Sequence, residues 1–132
     1  MPKIIPVPVF DCVVFGATGD LTLRKLLPAL YYRFRDGQVQ EDSRIIGAAR
    51  SDLDDHVFRQ RAEQALQHHV PAKDLDADLL QRFLGMLHYV RLDATDPDGD
   101  WPALSERLDA ERVRVFYLAT SPDLYGPVCR NL

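Results

Sequence analysis

The 132-residue sequence has no apolar run approaching the roughly 20 residues that a membrane-spanning helix needs, so no membrane partner is expected. It has no block of Lys and Arg. The net charge is −4, and the basic stripe that marks a nucleic-acid-binding face is missing. It has only two cysteines, Cys12 and Cys129, far apart, with no CxxC pair and no Cys/His ligand spacing. A disulfide framework and a metal centre are therefore not expected. Cys12 sits in an apolar run and reads as a small buried hydrophobe. The opening Met1-Pro2-Lys3-Ile4-Ile5-Pro6 is short and broken by proline, unlike the apolar core of a secretion signal. A reduced, cytoplasmic setting is the default expectation.

What is present is an alternation of strand and helix. Val9 to Phe15 is apolar on both faces except at Asp11, as in the central strand of a parallel sheet covered on both sides. Leu23, Leu26, Leu27, Leu30, Tyr31 and Phe34 then recur with helical spacing. Pro28 lies within that pattern and predicts a kink, or a helix that properly starts near it. Ser43 to Ala49 reads as a second strand. Ser51 to Asp55 supply N-cap residues for a helix to about His69, which Pro71 ends. The pair His68-His69 suits a helix C-terminus.

A helix over Asp74 to Met86, a third strand over His88 to Leu92, a short helix over Trp101 to Leu108 and a fourth strand over Val113 to Ala119 follow. A last helical segment begins near Asp123. Tyr89 and Trp101 read as packing residues. This order predicts an α/β, Rossmann-like, doubly wound parallel sheet of about four strands in the order 3-2-1-4, incomplete at its C-terminal edge. One domain is expected over residues 9–132, after an N-terminal extension over residues 1–8.

Two places carry chemistry. Gly16 and Gly19 fall on the turn between the first strand and its helix, where bare backbone N–H groups and a helix N-terminus suit a phosphate. The spacing is G-x-x-G, not the common G-x-G-x-x-G, and a tight turn needing positive φ would also use these glycines. The second place is the end of the second strand, Gly47-Ala48-Ala49-Arg50-Ser51. NAD-binding folds place an acid there for the ribose 2′-hydroxyl; a 2′-phosphate needs a cation instead. Arg50 can grip a phosphate with two N–H groups, although an arginine there also serves as a plain surface charge. Arg24 and Lys25, early in the first helix, are placed to reach an anionic substrate or simply to face solvent.

The string Val14-Phe15-Gly16-Ala17-Thr18-Gly19-Asp20-Leu21, followed by Arg24-Lys25-Leu26-Leu27-Pro28-Ala29-Leu30, resembles the start of the glucose-6-phosphate dehydrogenase family. Phe34-Arg35-Asp36-Gly37, Ile46 to Ser51 and Val115 to Ala119 with Pro122 agree in the same order. The resemblance spans about Val9 to the end. It implies NADP as cofactor, with Gly16, Ala17, Thr18, Gly19, Asp20 and Leu21 cradling the pyrophosphate. Thr18, Arg50 and Ser51 would surround the 2′-phosphate, and Ala119 to Pro122 would line the nicotinamide side. Lys25 matches a family lysine linked to the sugar phosphate. It also makes Pro28 a family feature of the helix.

The family's Glu-Lys-Pro-Phe-Gly segment and its Arg-Ile-Asp-His-Tyr-Leu-Gly-Lys segment, which holds the aspartate–histidine pair for proton abstraction, are absent from this sequence. No catalytic base is assigned here; His56, His68, His69 and His88 do not match. The resemblance implies a longer parent that oxidises glucose 6-phosphate to its lactone, with hydride transfer to NADP, and forms a homo-oligomer. The 132 residues alone are then expected to be inactive. The alternative is a stand-alone NADP(H)-binding module. Another NADP-dependent α/β oxidoreductase is a third possibility, but the Tyr-x-x-x-Lys pair such proteins use is not found.

Overall fold

A computed structural model describes residues 9–120 and 122–132. The expected N-terminal extension, 1–8, lies outside the described residues. The chain runs β1 (Phe10–Phe15), α1 (Leu27–Arg35), β2 (Arg44–Ala49), α2 (Asp55–His69), α3 (Ala77–Gly85), β3 (Leu87–Arg91), α4 (Trp101–Glu106), β4 (Val113–Leu118) and α5 (Tyr125–Asn131). All strand pairs are parallel and the sheet order is β3-β2-β1-β4, as the alternation predicts.

The apolar first strand serves two cores. Cys12 and Val14 face a layer of Leu27, Tyr31 and Phe34 from α1, Phe58 and Leu66 from α2, and Phe83 from α3. Val13 and Phe15 face the other way, with Ile46 and Ala48, onto Leu104 of α4 and Val128 of α5. Successive strand side chains point to opposite faces, so a strand covered on both sides must be apolar throughout. Cys12 is buried, and burial pushes its thiol pKa up to about 11, which fits its packing role.

The polar exception in β1 is Asp11, fully buried. Its carboxylate accepts from the Asp109 N–H (2.8 Å), from Arg44 Nε (3.2 Å) and from Arg112 Nη1 (3.5 Å). A buried carboxylate needs such partners. Here they tie the start of β1 to the segment leading into β4.

Helix α1 starts near Pro28 as the sequence predicts, and helix boundaries differ from the sequence reading at two other places. Helical structure begins at Asp20 and runs through Pro28 as one path, by way of a wide π turn over Thr22–Leu26. The Leu27 N–H reaches back five residues to the Thr22 carbonyl, and α1 proper starts there with proline in its first turn. Pro28 contributes no N–H to this continuous path, and the bond lost there falls at the junction of the π turn and α1.

The expected helix from Asp74 starts later, at Ala77, with the Asp76 side chain accepting from the Leu79 N–H. Asp74 is held elsewhere. Its carboxylate accepts from the Tyr32 hydroxyl (2.7 Å) and pairs with Arg35 (3.2 Å), and its carbonyl accepts from the Tyr31 hydroxyl (3.0 Å). The short helix at Trp101 ends at Glu106 instead of Leu108. Of the acids after β2, Asp54 is the N-cap of α2, accepting from the Val57 N–H at 2.8 Å.

Candidate functional site

The carboxyl ends of the strands open into a cleft of about 590 Å³. Its walls are the β1–helix turn (Gly16, Thr18, Gly19), the tip of β2 (Ala49, Arg50, Ser51), the segment after β3 (Asp93, Ala94, Thr95) and the segment after β4 (Ala119, Thr120, Leu124). In an open parallel sheet, this end, where strand order reverses between β1 and its neighbours, is where ligands bind.

The glycine turn is built for close backbone approach. Gly16 has φ +82°, and a Cβ there would stand 2.6 Å from the Ala119 carbonyl oxygen. The N–H groups of Gly16 and Ala17 both donate to the Ala48 carbonyl, at 3.0 and 3.3 Å, and the Gly19 N–H donates to the Gly16 carbonyl at 3.0 Å. The Thr22 hydroxyl donates to that same carbonyl. These glycines therefore supply shape more than donors. The donors come from the helix start. Its first bond runs from the Leu23 N–H to the Gly19 carbonyl, which leaves the preceding N–H groups of the first turn without intrahelical partners. They sit at the positive end of the helix dipole, where an anion is stabilised.

Arg50 is exposed at the tip of β2 and lines the cleft. Its guanidinium makes no ion pair or hydrogen bond with a described residue. The backbone around it is held firmly. The Tyr89 hydroxyl donates to the Ser51 carbonyl (2.6 Å) and lies 3.1 Å from the Ala49 carbonyl; Arg91 Nε donates to the Arg50 carbonyl (3.2 Å).

Asp93, which the sequence reading did not single out, stands at the end of β3 in the same cleft. Its Oδ1 accepts from the Thr95 hydroxyl (2.7 Å) and N–H (3.0 Å). Those bonds, with the nearby Arg50 charge, hold its carboxyl below the usual range. The acid missing from the tip of β2 thus has a neighbour one strand away, a placement no local spacing reveals.

The remaining expected residues divide. Gly16, Thr18, Gly19, Arg50, Ser51 and Ala119 meet at the cleft. Ala17 is fully buried beneath it. Asp20 and Leu21 are exposed on the first turn, outside the cleft wall, and Asp20 pairs with Arg24 at 3.2 Å. Lys25 is exposed on the π turn and does not line the cleft. Pro122 opens a short 3₁₀ turn, Pro122–Leu124; its side chain and the whole of Ser121 lie outside the described residues. None of the four histidines lines the cleft.

A parallel sheet wound on both sides, with a glycine turn and an arginine outside any described ion pair at neighbouring strand ends, defines a dinucleotide-binding α/β domain. The family model "Glucose-6-phosphate dehydrogenase, NAD binding domain" matches residues 13–132, and the chain belongs to that family. It is 52% identical over 126 residues to the glucose-6-phosphate 1-dehydrogenase of Gluconobacter oxydans, covering 93% of this chain and 26% of that protein. The crystal structure of the Mycobacterium avium enzyme superposes with a TM-score of 0.83 at 30% identity, over 95% of this chain and 26% of that one. A glucose-6-phosphate dehydrogenase solved in complex with glucose 6-phosphate matches with a TM-score of 0.80 at 29% identity, over all of this chain and 28% of that one. The chain spans about a quarter of the length of these relatives.

Proposed function

We propose that this chain is the NADP-binding part of a glucose-6-phosphate dehydrogenase, whose whole molecule oxidises glucose 6-phosphate at C1 to the lactone in the cytoplasm as a homo-oligomer. The observation that carries the choice of NADP over NAD is Arg50, a cation with no hydrogen bond or ion pair among the described residues, where an NAD-selective fold has an acid. The residues fit the cofactor. The Gly16 turn shapes the cleft floor against Ala119, the first helical turn offers N–H donors to the pyrophosphate, and Thr18 and Ser51 lie with Arg50 in the cleft wall for the 2′-phosphate. Ala119 lines the nicotinamide side. Lys25, exposed on the π turn, faces solvent where a sugar phosphate held by the rest of the protein would meet it. Bound NADP supplies a hydride acceptor at C4 of its nicotinamide.

We assign proton abstraction to the part of the whole enzyme that this chain does not include, because the resemblance places the base in an Asp-His motif that this sequence lacks. The isolated 132 residues should therefore give no NADPH absorbance at 340 nm with glucose 6-phosphate; a rate above the no-protein control would overturn that division of labour.

The test of the NADP site is Arg50→Ala in the intact protein. A charge-assisted bond to phosphate contributes about 1.5–3 kcal/mol, roughly ten- to a hundredfold in affinity. Calorimetry should show that loss for NADP and almost none for NAD. Equal losses for the two dinucleotides would remove Arg50 from the 2′-phosphate.

A further inference from the structure

Arg50 is a long, exposed side chain, and on its own it would sample many positions. Yet three consecutive carbonyls beneath it, those of Ala49, Arg50 and Ser51, are all engaged by β3 side chains. Tyr89 Oη lies 2.6 Å from the Ser51 carbonyl and 3.1 Å from that of Ala49, and Arg91 Nε donates to the Arg50 carbonyl at 3.2 Å. The Tyr89 ring is buried, 3% exposed, and packs 5.4 Å from the Phe58 ring, so its hydroxyl has little freedom. The Ala49 and Ser51 carbonyls do not require these bonds. The Ala49 carbonyl already accepts from the Leu92 N–H (2.8 Å), and the Ser51 carbonyl from the Leu53 N–H (3.1 Å). What the β3 side chains add is fixity, at the point where the chain leaves the sheet and Arg50 projects.

We propose that Tyr89, assisted by Arg91, is a positioning residue for Arg50, and that β3 thereby sets the preference for a dinucleotide bearing a 2′-phosphate. This rests on the assignment of Arg50 to that phosphate. A fixed anchor reduces the conformational freedom that Arg50 loses on binding, a gain that only a ligand touching Arg50 can collect.

The experiment is a double-mutant cycle in the intact protein, with NADP and NAD affinities measured for wild type, Tyr89→Phe, Arg50→Ala and the double variant. Tyr89→Phe should weaken NADP by about threefold to tenfold, the range of one neutral hydrogen bond, and leave NAD unchanged. In the Arg50→Ala background it should be silent. An equal loss for both dinucleotides, or a loss that persists without Arg50, would show that Tyr89 only supports the fold and would overturn the inference while Arg50 keeps its role. An Arg50→Ala variant that leaves the NADP-to-NAD ratio unchanged would overturn both. Should Tyr89→Phe fail to fold, the exposed Arg91→Ala carries the same cycle, and a loss for NADP surviving in the Arg50→Ala background would count against positioning.

Discussion

A methyl group on Gly16 would stand 2.6 Å from the carbonyl oxygen of Ala119. The turn after β1 and the segment after β4 therefore approach too closely for a side chain at Gly16, and the floor of the cleft depends on that contact. Gly37 is the control, because it has nearly the same φ, +79°, and a methyl group there would meet no neighbouring atom within 4 Å. Gly37→Ala should cost only the left-handed backbone term, about 1–2 kcal/mol. Gly16→Ala should cost more and also weaken dinucleotide binding, because β4 must move. Urea midpoints and a fluorescence titration check this. Equal costs, with binding intact, would mean the close approach is dispensable.

Gly47 makes the matching argument inside the sheet. A Cβ there would lie 2.7 Å from both Ala17 Cβ and Phe58 Cζ. Glycine in β2 thus lets the first turn and α2 settle against the strand. Gly47→Ala should destabilise by about 1–3 kcal/mol, the usual cost of overpacking. Thermal melts would check it, and a neutral result would show that Phe58 gives way freely.

These contacts explain how much was legible in the sequence. The four strands follow from apolar runs and turn residues, which are local signals, and their order from the strand–helix alternation of a doubly wound sheet. Gly16, Gly19 and Arg50 were visible because their neighbours in sequence already form the turn and strand tip. Tyr89 was not. It read as packing because its partners, Ala49 and Ser51, are 40 and 38 residues away. Asp11 looked like an interruption because two of its partners, Asp109 and Arg112, are 98 and 101 residues away. Asp74 looked like a helix start until Tyr31, Tyr32 and Arg35 claimed it. Local spacing shows where an element lies; it cannot show which distant side chain completes a hydrogen bond.

His88 gives a pH dependence. Burial lowers its pKa from the ordinary 6.5; Asp55, 3.6 Å away, pulls it back, while Arg59 and Arg107 lower it further. The folded state therefore prefers the neutral imidazole. Well above pH 6.5 neither state carries the proton. As pH falls below 6.5 the unfolded chain protonates first, and stability declines until the lower folded value is passed. Melting temperatures between pH 7.5 and 5.5 should fall more steeply for the native sequence than for His88→Gln. Parallel slopes would mean that His88 does not contribute.

The two edges of the sheet are treated differently, and this predicts how the 132-residue chain behaves alone. On β3 the outward groups are closed by side chains of α2: the Leu87 carbonyl accepts from Arg59 Nε (2.9 Å), and the Tyr89 N–H donates to the Asp55 carboxylate (2.7 Å). On β4, Val113, Val115, Phe116 and Tyr117 are 60%, 44%, 41% and 40% exposed. An apolar groove of about 520 Å³ runs beside it, lined by Leu26, Leu30, Val113 and Val115. An open, apolar edge is a template for pairing with another chain. The 132-residue chain should therefore self-associate at micromolar concentration, as seen by light scattering coupled to size exclusion. Val115→Lys should favour the monomer, since a charge on an edge strand opposes pairing. Asp55→Ala with Arg59→Ala should worsen association by opening the second edge. A sharp monomer peak for the native sequence, with a cooperative melt above about 60 °C, in the upper range for mesophilic domains, would show that β4 is self-sufficient.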